Sequence, residues 1–221
     1  RASSIAVGPD GAVYLGEPDK IRRVDPNGRI DRVLGAGSGG ASNAGNDGFA
    51  KSARAGSVNA LAFALDGSLY FSDCTNLEFC FVRKVEPGGI VRRVAGRTSG
   101  GIDTSDGILA TDATLYRVSA IDVAPNGDLF LKYNLQPGGG GTRTQVIRRV
   151  GHDGRITRAA GADRVPGAPN STLAFAGEGG PAAAALISTQ NFSVADDRTF
   201  YFPIDRAIIA AHPSTSPYAA G

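Results

Sequence analysis

One short pattern, built on an Asx-Gly turn, recurs through this chain at intervals of about 60 residues and constrains the fold more than any other feature. Asp10-Gly11, Asp66-Gly67 and Asn126-Gly127 stand in equivalent places, with a degenerate copy at Asp197-Arg198. Each is followed by a β-rich run: Val13-Tyr14-Leu15, Leu69-Tyr70-Phe71, Leu129-Phe130-Leu131 and Phe200-Tyr201-Phe202. A third segment repeats as Ile21-Arg22-Arg23-Val24, Val82-Arg83-Lys84-Val85 and Ile147-Arg148-Arg149-Val150. A fourth runs from Ile30 to Leu34, Val91 to Ala95 and Ile156 to Ala160, and each copy is closed by a glycine: Gly35, Gly96 and Gly161. Each unit reads as two hairpins. A two-residue turn at the Asx-Gly pair joins the first, and glycine-bearing turns such as Glu86-Pro87-Gly88-Gly89 join the second.

A sheet of four short strands buries its faces only against neighbours, so tandem copies predict an all-β propeller of four-stranded antiparallel blades. The expected blades are residues 4–35, 58–96, 118–161 and 190–212, joined by glycine-rich arches. The last unit ends in STSPYAAG without a recognisable fourth strand, and only Arg1-Ala2-Ser3 precede the first inner strand. The expectation is an incomplete or open propeller of about 3.5 blades, short of the usual range, closed by further sequence or by a second copy. Bare edges on such an arc favour aggregation.

Composition agrees with a folded, turn-rich β protein: 42% hydrophobic, 20% charged, 31 glycines and 12 prolines in 221 residues. No apolar run reaches the roughly 18 residues that a membrane-crossing helix needs. A net charge of +2 does not call for a polyanionic partner. The chain starts at Arg1 and soon enters the strand Ile5-Ala6-Val7, which reads as a piece excised from something longer, with no leader.

Cys74 and Cys80 lie together in an insertion between the second and third strands of the second unit. Bridging them would clamp a long hairpin, as expected in an exported, extracellular or cell-surface protein; the alternative is a pair of free thiols. Two cysteines alone do not make a zinc site.

Catalytic chemistry finds little support, so no catalytic residue, cofactor or metal site is expected. His152 occupies the turn Gly151-His152-Asp153-Gly154, and His212 lies in the C-terminal tail. No Ser, Cys or Lys has an evident base. The basic pairs Arg22-Arg23, Arg83-Lys84, Arg92-Arg93 and Arg148-Arg149 read as solvated strand charge, because neighbours on a strand point to opposite faces and build no continuous patch. Without an aromatic stacking platform, no nucleic-acid partner is expected. Gly138 to Gly141 read as a flexible loop, since no Lys-Ser/Thr follows them.

Each arch carries an acidic-glycine element: Asn46-Asp47-Gly48, Ser105-Asp106-Gly107 and Gly177-Glu178-Gly179-Gly180. These hold too few carboxylates for a calcium cage. An alanine-containing segment follows each, predicting one helical turn, with Pro181 suited to the start of the third. Asn170-Ser171-Thr172 and Asn191-Phe192-Ser193 are formal glycosylation sequons. Asn170 is the candidate site, whereas Asn191 heads an inner strand and is expected to be buried.

The acidic-glycine arch, the Asx-Gly hairpin, the Ile-Arg-Lys-Val-type hairpin and the closing Val-Ala-Gly resemble NHL-repeat propellers, and more narrowly those of teneurins and bacterial Rhs (YD-repeat) proteins. The match rests on Val7 to Gly16 with Lys20 to Gly28, Ala62 to Asp73 with Val82 to Gly96, Ala110 to Leu131 with Val146 to Gly161, and Gly177 to Ala185. Departures fall on the aspartate that ends the second strand. It survives as Asp73 and, displaced, Asp205, while Glu17 stands near it in the first unit and Lys132-Tyr133-Asn134 replace it in the third. The resemblance implies a non-enzymatic scaffold that docks against a YD-repeat shell or serves adhesion, with protein as its partner. Two other functions remain open: a lactonase-like propeller hydrolase with a central metal, and an RNA-binding NHL module.

Overall fold

Runs of β-branched and aromatic residues alternate with small ones between glycine turns, and in the computed structural model they form seventeen short strands among the described residues. Those residues are 1–37, 44–75, 79–97, 105–135, 144–162, 182–184, 187, 191–195, 199–204 and 207–211. The first sheet is β1 (Ser4–Val7), β2 (Val13–Glu17), β3 (Lys20–Val24) and β4 (Ile30–Leu34), antiparallel in that order. The second is β5 (Leu61–Phe63), β6 (Leu69–Thr75), β7 (Phe79–Val85) and β8 (Val91–Ala95). Two arch strands follow, β9 (Ile108–Leu109) and β10 (Leu115–Tyr116). The third sheet is β11 (Ala120–Val123), β12 (Leu129–Leu135), β13 (Thr144–Val150) and β14 (Arg155–Ala160). The fourth has three strands: β15 (Ser193–Val194), β16 (Phe200–Ile204) and β17 (Ala207–Ala211). Inner strands β1, β5, β11 and β15 lie side by side in succession, so the sheets stand as the blades of a β-propeller.

The core lies between sheets rather than within one. Leu61, Leu69, Phe71, Val85 and Val91 of blade two pack toward blade one, meeting Ala6 and Tyr14. Ala60, Ala62, Val82 and Ala95 turn toward blade three, meeting Ile121, Leu131 and Val150. Phe130 of blade three meets Phe192, Phe200 and Phe202 of blade four. Period-two alternation gives every central blade two apolar faces, and each needs a neighbour.

The arches are structural parts. Short 3-10 turns at Ala50–Ser52, Ala110–Asp112 and Ala182–Ala184 each bury their first alanine. The carbonyls of Ala50, Ala110 and Ala182 accept the N–H of Gly35, Gly96 and Gly161 at 3.2, 2.9 and 3.0 Å. Those glycines have φ of 117°, 93° and 93°, and a Cβ on them would lie 2.5, 2.4 and 2.6 Å from a backbone oxygen, so only glycine fits. The arch before blade three adds β9 to the outer strand β14, and β10 to β7 of blade two. The arch before blade two touches the outer hairpin through the Phe49–Ile90 bridge.

Some expectations need correction. The hairpin turns are longer than two residues: Gly11, Gly67 and Gly127 each donate to the carbonyl three residues earlier, and the enclosing bonds join Gly8 to Ala12, Ala64 to Ser68 and Ala124 to Asp128. The aspartate caps this wider turn, as Asp66 Oδ1 does by accepting the Ser68 N–H at 2.9 Å. Asn191 is exposed, and the buried position at the head of the strand belongs to Phe192. The Asp197-Arg198 turn, Asp205, Pro181, the glycine run 138–141, the element 177–180, Asn170 and His212 lie outside the described residues.

Candidate functional site

Three of the four basic pairs sit on third strands, and in blades two and three the first arginine of the pair is a blade-to-arch anchor. In blade two, Arg83 is fully buried. Its Nη1 donates to Asp73 Oδ2 at 2.9 Å and to the Arg54 carbonyl at 2.6 Å; Nη2 reaches the Ala44 carbonyl at 3.2 Å and Nε reaches Asn46 Oδ1 at 3.0 Å. Asp73 Oδ1 accepts the Gly56 N–H at 2.6 Å. The planar guanidinium thus ties a same-blade carboxylate to three points on the arch that leads into that blade. Burial draws the Arg83 pKa below its ordinary value, and the Asp73 carboxylate opposes that shift.

Blade three repeats the device with different chemistry. Arg148 Nη2 donates to the Ser105 carbonyl and to Asp106 Oδ1, both at 2.6 Å, while Nη1 faces the Tyr133 hydroxyl at 3.3 Å. Tyr133 occupies the place of Asp73, opposite the arginine strand. Burial pushes its phenol pKa up, and the Arg148 charge works against the shift. In blade one the same positions hold an Arg22–Glu17 ion pair. Arg83 and Arg148 therefore overturn the reading of these pairs as solvated charge. The second member of each pair is spent differently: Arg23 on Asp10, Lys84 on Glu86 and Arg149 on Asp128. Arg92 pairs with Asp47 and Glu86, so these charges are tied locally.

Lys132, which the sequence marks only as part of the Lys132-Tyr133-Asn134 departure, is nearly fully buried. It sits on β12 where Gly16 and Ser72 stand in blades one and two. Ser72 Oγ accepts the Asn59 and Ala60 N–H groups at 2.9 and 3.0 Å, whereas Lys132 Nζ donates to Ser119 Oγ at 3.0 Å. Burial lowers its pKa from 10.5 to about 8. The unfolded chain holds this proton to higher pH, so between pH 8 and about 10.4 it binds more protons than the folded chain, and stability rises with pH. Below pH 8 the buried ammonium costs about 3 kcal/mol. Lys132→Met is expected to raise the melting temperature by about 6–12 °C at pH 7, at about 2–4 °C per kcal/mol for a chain of this size, with the gain shrinking toward pH 10; melts at the two pH values check it.

Cys74 and Cys80 face each other across β6 and β7, joined by a disulfide and buried. The Val118 N–H points at Cys80 Sγ from 3.2 Å, so this bridge also touches the segment entering blade three. Closing so short a loop is worth about 2 kcal/mol. Reduction or Cys74→Ser with Cys80→Ser is expected to lower the urea midpoint accordingly, without changing the far-ultraviolet spectrum. His152 accepts the turn position its sequence gives it: Nε2 lies 2.6 Å from the Asn126 carbonyl and joins the two turns of blade three. Asp122 ties blade three to blade four, accepting the Val194 N–H at 2.8 Å and the Ser193 hydroxyl at 3.2 Å. Burial raises its pKa, and these hydrogen bonds oppose that. Among the described residues, no group of three or more His, Cys, Asp or Glu side chains could hold a metal ion, and no helix is long and apolar enough to cross a membrane.

Comparison with known proteins places the chain among propeller-like structures and gives partial sequence matches to two relatives. No family model matches it. Teneurin-4 of Homo sapiens and of Mus musculus are each 36% identical over 99 residues, an alignment covering 39% of this chain and 4% of the relative. The chain thus corresponds to a small part of the relatives it matches. A Bacteroides thetaiotaomicron protein of unknown function shares the fold with TM-score 0.57 at 15% identity, over 90% of this chain and 43% of the other. A candidate gluconolactonase aligns with TM-score 0.50 at 13% identity, over 95% of this chain and 59% of its own. At these identities the structural likeness speaks for the fold alone.

Proposed function

We propose that this chain is a non-enzymatic interaction propeller of NHL type, a segment of a larger exported protein of the teneurin and Rhs (YD-repeat) kind, docking against other parts of that protein or against a partner protein. The observation that carries the reading is the 99-residue match to teneurin-4. The arrangement of charge supports it. Arg83, Asp73, Arg148 and Asp106 hold arches in place, which is what a rigid scaffold needs. The disulfide joining Cys74 and Cys80 suits an oxidising compartment. Asn170 is the candidate glycosylation site under this reading, and it would be modified only in a eukaryotic secretory host.

The competing reading is a metal-dependent lactonase, suggested by the fold shared with a candidate gluconolactonase. Two measurements decide between them. Labelling of intact source cells with an impermeant reagent is expected to tag the protein, with the cysteines oxidised, and the purified chain is expected to leave aldonolactones unhydrolysed with added divalent metals. Metal-dependent turnover abolished by EDTA, or a protein that stays unlabelled with free thiols, overturns the proposal.

A further inference from the structure

We propose that Arg22, Glu17 and the strand surfaces carrying Ile5 and Ile30 form a docking site on blade one for one occupant: an Asx-Gly arch together with its blade, a repeat unit of the class this chain already contains. Two filled copies of the site, on blades two and three, show what it takes. Register equates Ile5 with Leu61 and Ile121, Arg22 with Arg83 and Arg148, and Ile30 with Val91 and Ile156.

Exposure separates the first member of each set from the others. Ile5 is 66% exposed against 9% for Leu61 and 7% for Ile121. Ile30 is 47% exposed against 0% for both Val91 and Ile156. The Arg22 side chain is 37% exposed, where those of Arg83 and Arg148 are 0% and 1%. Three positions spread over the inner, third and outer strands thus lack the same cover.

In the filled copies the cover is of two kinds. A preceding blade supplies the apolar face, as Ala6 and Tyr14 do toward Phe63, with the two rings edge to face at 4.8 Å. The arch supplies the rest. It presents a main-chain carbonyl and an Asx side-chain oxygen to the arginine: Ala44 and Asn46 for Arg83, Ser105 and Asp106 for Arg148. Its backbone then pairs with the outer strand, Asp47 N–H to the Val91 carbonyl at 2.7 Å and Gly107 N–H to the Ile156 carbonyl at 2.8 Å. Arg22 already has its same-blade carboxylate in Glu17, as Arg83 has Asp73. The ligand chemistry required is therefore a backbone turn bearing Asn or Asp one or two residues before glycine, attached to an apolar sheet face. A second copy of the whole chain could cover Ile5 with blade four, whose Tyr201 is exposed, but residues 212–221 of that copy hold no Asn or Asp to offer the arginine clasp. The inference rests on repeat geometry and holds whether or not the propeller is adhesive.

The test supplies the occupant from the chain itself. Residues 58–119 are fused ahead of Ser4, a junction that keeps register because the Ser3 and Ser119 N–H groups make equivalent bonds, to Gly16 at 2.7 Å and Lys132 at 3.0 Å. Arg22→Ala and Ile5→Lys are then placed in the fused and the unaltered chains. Each is expected to lower the melting temperature by less than about 2 °C in the unaltered chain and by about 6 °C or more in the fused one. Equal effects in both chains overturn the proposal.

Should the fusion not fold, a peptide of residues 97–119 titrated into the unaltered chain is expected to shift the Arg22 side-chain resonance, and the same peptide with Asp106→Ala is expected not to. No shift at millimolar peptide overturns the proposal. So does a dimer of the unaltered chain, measured by light scattering, that Ile5→Lys dissociates and Arg22→Ala leaves intact, because a second copy would then be the occupant.

Discussion

Arg83→Ala is expected to destabilise the protein by about 3–5 kcal/mol, the range for removing one partner of a buried charge pair. The loss has identifiable parts. Asp73 keeps its Gly56 hydrogen bond but is left as a buried carboxylate without its cation, and the Ala44 and Arg54 carbonyls lose a charged donor. The guanidinium also sits 5.6 Å from the Phe71 ring centroid, so its stacking contact goes as well. Arg83→Lys keeps the charge without the planar fork and is expected to recover only part of the loss. Arg29→Ala provides the control, since that side chain is 75% exposed and should leave the midpoint unchanged. Urea unfolding followed by circular dichroism measures all three. A midpoint for Arg83→Ala within error of the parent would show that the arch does not depend on this anchor.

Phe130→Ala is the second large effect, expected at about 3–5 kcal/mol for a fully buried aromatic. Phe130 meets Phe200 edge to face at 5.2 Å, and Phe200 stacks on Phe202 at 6.1 Å. These rings are much of what joins blade four to blade three, together with the bonds from Asp122 to Ser193 and Val194. The cavity should therefore loosen blade four before the rest, and proteolysis is expected to cut first between residues 162 and 200. Phe130→Leu retains most of the volume and is expected to cost about 1 kcal/mol. A variant that melts in one step, with no early cut, would place the weak joint elsewhere.

Much of the architecture was legible because strands advertise themselves by alternation and turns by glycine. Four aligned copies of Val13-Tyr14-Leu15 and its equivalents leave few folds to consider. The anchors were harder to read, since Arg83 next to Lys84 looks like solvated charge and its partners lie 29 to 39 residues away in the arch. What could have revealed them is the arch itself, which carries an Asx-Gly element wherever the following blade carries the arginine. The burial of Lys132 escaped because one departure among repeats looks like drift, though alignment with Gly16 and Ser72 shows a charge entering a position of small residues. Asn191 was misplaced by one residue of register, which on a strand exchanges inside for outside. The arch strands β9 and β10 have two residues each, too few for any alternation to show.

Hydrogen exchange of the unaltered chain, resolved by peptide, tests the central claim most directly. The claim is that blades two and three are closed units, pinned by buried arginines and covered on both faces, while blade one has an uncovered face and an uncovered outer strand. Amides of β5 to β7 and β11 to β13 should exchange slowest, at rates set by global unfolding, and those of β1 and β4 should exchange by local opening orders of magnitude faster. Protection of β1 and β4 equal to that of β5 and β8 would contradict the account, because the face at Ile5 and the strand edge at Ile30 would then be covered in solution.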